Sequence, residues 1–175
     1  MFRFGTSLFV SILCFAGTSA MAQGAGQPTD PQIAHIAYTA GQIDIKAAEQ
    51  ALGKSQNKDV KAFAKEMVKD HEAVNKKALA LLDKLKVKPE DNDTSKSLAD
   101  AASKKLEELS QLSGTAFDKA YAENEVVYHQ TVNGVLEKTL IPSAQNGELK
   151  SLLQTGLKLF KEHEKHAVKL VSELK

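Results

Sequence analysis

From Ile33 to Leu174 apolar residues return every three or four positions, and only short runs rich in Gly, Pro or polar residues interrupt them. That period is the mark of helices with one buried face. Asp30 followed by Pro31 reads as an N-cap with proline at the first helical position, opening a helix that continues to about Leu52 and stops at Gly53. Its inward stripe is Ile33, Ile36, Ala40, Asp44, Ala47 and Ala51. Ser55 or Asn57 caps a second helix carrying Val60, Phe63, Met67, His71, Val74, Ala78, Leu81 and Leu85, which Pro89 is expected to close. A third, Ser95 to Leu112, has only apolar residues on its stripe. Ser113-Gly114 starts the next, which reaches about Leu140 and is expected to end at Pro142. The last begins near Ser143 or Asn146 and presents Leu149, Leu152, Gly156, Phe160, His163, Ala167, Leu170 and Leu174. No stretch alternates in the manner of a strand. Short connections between four long helices and a shorter one predict an all-α, antiparallel four-helix bundle with an additional crossover helix.

The stripes carry polar residues where apolar ones are expected. Asp118, Tyr121, Glu125 and His129 follow one another at steps of three, four and four, on the face that also bears Ala122, Val126 and Val132. The first, second and last helices contribute Asp44, His71 and His163. Buried polar groups are costly without partners, so these side chains are expected to meet. If the third helix crosses back along the bundle, the second and fourth run parallel. His71, His129 and Glu125 then share a depth. Reflection of the last helix about Pro142 sets His163 opposite Tyr121, near Asp44 and Asp118, in a second cluster about 12 Å away. A shift of one turn would merge the two.

Imidazole and carboxylate donors from facing helices suit a divalent transition metal such as iron, zinc, copper or manganese. The candidate ligands are Asp44, His71, Asp118, Glu125, His129 and His163, with His166 as a further one. The same residues would also make a hydrogen-bonded core network without an ion. Asp70, Glu72, Glu162 and Glu164 are expected to face water, His35 to sit at the boundary, and Phe63, Phe117 and Phe160 to be core.

The start of the chain changes the picture of where this bundle works. Arg3, the apolar run Leu8 to Ala16 and Ala20-Met21-Ala22 form a secretory signal over residues 1–22, leaving a flexible leader at 23–29 and the bundle domain at 30–175. The apolar run is too short to span a bilayer, and Leu13 before Cys14 does not suit lipoprotein processing. Removing 22 of the 175 residues takes away the only Cys and the only Arg. What is left has 22 Lys against 22 acidic residues, no disulfide and no transmembrane segment, and is expected in the periplasm. Balanced charge without Arg speaks against nucleic-acid binding. No nucleophile motif, phosphate loop or dinucleotide fingerprint points to an enzyme. The alternative to metal binding is an envelope stress or interaction protein with an envelope protein partner, its polar core only fixing the packing. Nothing in the sequence sets the oligomeric state.

Ala40 to Ala48, then Val60-Lys61-Ala62-Phe63-Ala64-Lys65-Glu66-Met67-Val68-Lys69-Asp70-His71, Ser113-Gly114-Thr115-Ala116-Phe117-Asp118-Lys119-Ala120-Tyr121, His129, and Leu159 to His163 resemble the exported bacterial family of domain of unknown function 4142, grouped with the ferritin-like superfamily. The resemblance spans about Pro31 to Leu174 and implies a ferritin-like helical fold outside the cytoplasm, with no established activity. Members usually carry Glu where this chain has Asp44, one carbon shorter. The Glu-x-x-His pairs of di-iron bundles are missing: Val68 precedes His71 by three residues and Phe160 precedes His163 by three. That departure argues against ferroxidase or oxygenase chemistry.

Overall fold

The computed structural model describes residues 27–174, so the expected secretory signal and most of the expected leader lie outside the described residues. Helix α1 (Asp30–Lys54) is capped by Thr29, whose side chain accepts from the Gln32 N–H while Gln32 reaches back to the Thr29 N–H. Asp30, expected to be the cap, instead accepts from the backbone N–H groups of Gln145 and Asn146 at 2.9 and 2.8 Å, tying the start of α1 to a turn far along the chain. Helix α2 (Lys58–Leu85) is capped by Asn57 and ends at Lys86, which takes a left-handed conformation with φ of 55°, before Pro89 is reached. Helix α3 (Asp93–Ser110) starts two residues before Ser95 because Asn92 and Ser95 form a capping box.

Helix α4 (Gly114–Val135) does not stop at Pro142. It continues through a π-helical turn, Leu136–Leu140, into a last turn, Ile141–Ser143. Proline has no N–H to give to the carbonyl four residues back and its ring crowds that carbonyl. The chain widens instead, the Ile141 N–H donating to the Leu136 carbonyl five residues back. Helix α5 (Gly147–Glu173) begins after Asn146, which caps it by accepting from the N–H groups of Glu148 and Leu149.

Around the bundle α1 packs on α2, α2 on α5, α5 on α4 and α4 on α1, while α3 lies outside along α1. Asn92 donates to the Gln32 carbonyl at one end of α3, and Gln50 and Lys54 donate to the Leu106 and Ser110 carbonyls near the other. Helix α3 therefore climbs back along α1, and α2 and α4 run parallel as the sequence predicts. Among the described residues there is no strand, and no helix is long and apolar enough to cross a membrane.

The apolar core has two parts. One holds Ala48, Phe63, Met67, Phe117, Tyr121, Ala122 and Leu170. The other holds Ile33, Ile36, Leu82, Leu136, Leu140, Leu153 and Phe160. On each of the four bundle helices the chain passes from one part to the other through a buried polar residue: Asp44, His71, Glu125 with His129, and His163.

Candidate metal centre

Counting along the helices explains why these residues form one layer. Asp44 lies 14 residues from the start of α1, His71 14 from the end of α2, His129 14 from Ser143, and His163 16 from the start of α5. All four counts begin at the same end, which the Asp30 hydrogen bonds and a 2.7 Å Lys84–Glu148 ion pair hold together. At 1.5 Å per residue the four side chains leave their helices at about 21–24 Å depth. Asp44 and His163, expected in the second cluster, therefore join His71, His129 and Glu125 in one layer. Because the chain turns at Ala144 to Asn146 rather than at Pro142, His163 moves from the level of Tyr121 toward that of His129.

Asp44 is at the centre. Its Oδ2 lies 3.3 Å from His71 Nε2 and 3.4 Å from His129 Nε2, with all three side chains at most 3% exposed. None of these contacts has hydrogen-bond geometry, and both Asp44 oxygens, both His71 nitrogens and His129 Nε2 have no hydrogen-bond partner. His129 Nδ1 is 3.0 Å from the Glu125 carbonyl. A carbonyl only accepts, so Nδ1 carries the proton and Nε2 turns a bare lone pair toward Asp44. The Glu125 carboxylate approaches the same ring at 3.7 Å, and its two oxygens are also without partners. One ring nitrogen each from His71, His129 and His163 fall within 4.8 Å of one another, as do ligand atoms of Asp44, Glu125 and His129.

Neighbouring residues hold this geometry. The His71 ring stacks on Phe160, with centroids 4.5 Å apart and planes 10° from parallel. Tyr128 donates to the Ala40 carbonyl at 2.7 Å, pinning α4 to α1 one turn from Asp44. At Gly41 a Cβ would stand 2.4 Å from Asn75 Oδ1. Glycine thus allows α1 and α2 to close up one turn from the Asp44–His71 pair.

Burial sets the protonation states. It pushes the Asp44 carboxyl up to about 8. Glu125 is held well above the usual carboxylate range by burial first and by Asp44 second. His129 falls to about 4, mainly through burial and partly through His163, against the opposing pull of the Glu125 carbonyl. His71 is depressed well below its ordinary value by burial, then by His129 and His163. Two carboxyls that resist ionisation and imidazoles that resist protonation make a site without counter-charge, where a divalent cation would replace protons on the acids and take lone pairs from the rings. Beside His71 and His129 a largely apolar cavity of about 50 Å³, bounded by Ala37, Val74, Leu136 and Phe160, extends toward the π turn.

Residues 16–170 match the family model described as domain of unknown function DUF4142. The chain belongs to the DUF4142 family. No curated protein matches it in sequence. In three dimensions it is similar to a DUF305 protein from Streptomyces coelicolor, at 12% identity and a TM-score of 0.71, over 83% of this chain and 93% of that one. It is also similar to CopM in the Cu(II)-bound form, at 16% identity and a TM-score of 0.65, over 85% of this chain and 99% of that one. At these identities the likeness establishes the fold alone, a four-helix bundle with a further helix along its outside.

Within this DUF4142 chain the candidate ligands do not all meet. Asp44, His71, Glu125, His129 and His163 share the layer, whereas Asp118, buried and with Oδ1 unpartnered, belongs to no close group of His and acidic side chains among the described residues. Sequence reasoning left out Asp70 and Glu66. Asp70 turns from water and places Oδ2 3.1 Å from His163 Nε2, while Glu66 Oε2 lies 2.7 Å from His166 Nδ1. Their spacing, one turn apart on α2 and beside the His71 stripe, was a legible signal. Glu164 likewise accepts from Asn133 at 2.8 Å instead of facing only solvent. The di-iron arrangement of ferritin-like proteins does not fit, since Val68 and Phe160 stand where its glutamates would and only two acids enter the layer.

Proposed function

We propose that this DUF4142 protein is an exported helical bundle that binds one divalent transition metal through Asp44, His71 and His129, with Glu125 and His163 as further donors. The observation that carries the reading is the spacing around Asp44. Ligand atoms about 2.0–2.1 Å from a tetrahedral metal stand about 3.3–3.4 Å from one another. Asp44 Oδ2 keeps 3.3 and 3.4 Å from two imidazole nitrogens, without hydrogen-bond alignment to either. The Nδ1–H of His129 is already engaged by a backbone carbonyl, the usual way a metal-binding imidazole is oriented. Imidazole with carboxylate and no thiolate favours Zn(II) or Cu(II) over Mg(II) or Ca(II). CopM carries Cu(II) on the same fold, and export is supported by the secretory signal of residues 1–22.

Protein purified without chelator is expected to hold about one equivalent of metal by elemental analysis, and stripped protein to melt at a higher temperature once Zn(II) or Cu(II) is restored. His71→Ala with His129→Ala should abolish both effects. Absence of metal from the native protein, together with no shift in melting on titration, rejects the reading. One observation favours a second reading, an envelope stress or interaction protein with a metal-free core. Burial keeps Asp44 protonated up to about pH 8, and a neutral carboxyl can donate to a bare imidazole nitrogen. On that reading the native protein is metal-free and retains an envelope partner in pull-downs.

A further inference from the structure

Toward the surface from the buried layer, α2 and α5 present a second set of donors, of which the proposed centre uses only His163. Glu66 and Asp70 lie one turn apart on α2, and His163 and His166 lie nearly one turn apart on α5. Ligand atoms of Glu66, Asp70 and His163 all fall within 4.8 Å of one another, and His166 joins through its 2.7 Å contact with Glu66. The group grades from surface to core: the side chains of His166 and Glu66 are 42% and 40% exposed, Asp70 21% and His163 1%. His163 belongs to both sets, and its ring centroid is 5.4 Å from that of His71 and 5.5 Å from that of His129. Two carboxylates are thus brought together, and among the described residues the lysine within 4.0 Å of either is Lys69, 4.0 Å from Asp70 and itself 85% exposed.

We propose that Glu66, Asp70, His163 and His166 form an outer, weaker divalent-cation site through which an ion passes to the buried layer. His163 is the shared ring, so an ion held by Asp70 and Glu66 is one imidazole away from His71 and His129. The loading role rests on the metal-binding reading above; the outer site does not.

The test uses the stripped, full-length mature protein, Zn²⁺ as probe, equilibrium titration for stoichiometry and stopped-flow exchange from a chromophoric chelator for loading. Wild type is expected to take one tight and one weaker equivalent. Glu66→Gln with His166→Gln, both at half-exposed positions, should remove the weaker equivalent, keep the tight affinity within about threefold and slow loading at least tenfold. His71→Ala with His129→Ala should remove the tight equivalent and keep the weak one. If the Glu66 and His166 changes leave stoichiometry unaltered, the outer site is overturned; if only the loading rate is unaltered, the passage role is. Loss of both equivalents in that variant overturns the idea of two separate sites. A wild type with only a weak equivalent, abolished by the same changes, leaves the outer site standing while the buried centre fails.

Discussion

The carboxylate of Asp44 stands 3.3 Å from Nε2 of His71, across the contact between α1 and α2, with neither group hydrogen-bonded and both shut off from water. Such a pair is poorly solvated in every protonation state, and Asp44→Asn separates its two consequences. The amide keeps the shape but cannot become an anion. Affinity for Zn²⁺ at the tight site is expected to fall at least tenfold, in the range seen when a metal's supporting contacts are lost. The stripped protein is expected to melt higher than wild type at pH 8, because a buried acid near its point of ionisation has been removed. Titration calorimetry and thermal melts check the two halves, and unchanged Zn²⁺ affinity would remove Asp44 from the centre.

The stripped protein should also show an unusual pH profile. In the folded chain Asp44 releases its proton only at about 8, so between the ordinary carboxylate range and that point the native state binds more protons than the unfolded one. Stability from this group therefore falls as pH rises toward 8. Histidine works the other way. His129 is lowered to about 4 from 6.5, so the unfolded state holds the extra proton between those values and stability rises with pH there. His71, also lowered, adds to that rise, and Glu125, raised, adds to the fall. The effects oppose one another below pH 6.5. Above it only the acids act, with a slope of about 1.4 kcal/mol per pH unit for each proton, or about 3–5 °C in melting temperature for a chain of this size. Melts between pH 6.5 and 8 should decline, and Asp44→Asn should flatten the decline. A profile that climbs over this range contradicts the assignment.

Gly41 and Asn75 should behave as one unit. Alanine in place of glycine inside a helix ordinarily gains about 1 kcal/mol. At position 41 the new methyl would meet the Asn75 head group at 2.4 to 2.9 Å, and Asn75 is buried. Gly41→Ala is therefore expected to destabilise by about 1–2 kcal/mol, the usual range for overpacking. In an Asn75→Ala background the same change should be neutral or stabilising, a coupling of at least about 1 kcal/mol. Denaturant titration of the four proteins measures it; additive changes would mean that α1 and α2 are not held apart by this contact.

How much of this was legible beforehand follows from what periodicity reports. It places a residue on a face, and so it found the inward positions of Asp44, His71, Glu125, His129 and His163 and the direction of each helix. Axial level depends on where turns fall, which periodicity reports badly. The sequence puts a proline at 142 and suggests a stop, yet a π turn carries the helix through it and moves the reversal to 144–146. A shift of about three residues in the reversal moves the residue facing His163 by about six, enough to bring His163 from the level of Tyr121 to that of His129. Asp70 was missed for a related reason. Its place beside the stripe looked solvent-facing, and only the closeness of α5 shows what it faces.

Asp118 provides the sharpest check on that register. It lies on the same face of α4 as Glu125 and His129, and the sequence offers it as a ligand with equal right. In the folded chain it is seven residues from Glu125, or about 10 Å along the axis, buried in the first turns of α4 and outside the groups that could hold an ion. Asp118→Asn should therefore leave tight Zn²⁺ affinity within about twofold of wild type, while Glu125→Gln, one turn from His129, should weaken it. Since Asp118 Oδ1 is buried without a partner, its replacement by the amide acts on melting temperature alone. Should Asp118→Asn lower Zn²⁺ affinity as much as Asp44→Asn, the donor layer must extend toward the Gly114 end of the bundle, and the single-level arrangement of Asp44, His71, His129 and His163 would be wrong by about two turns.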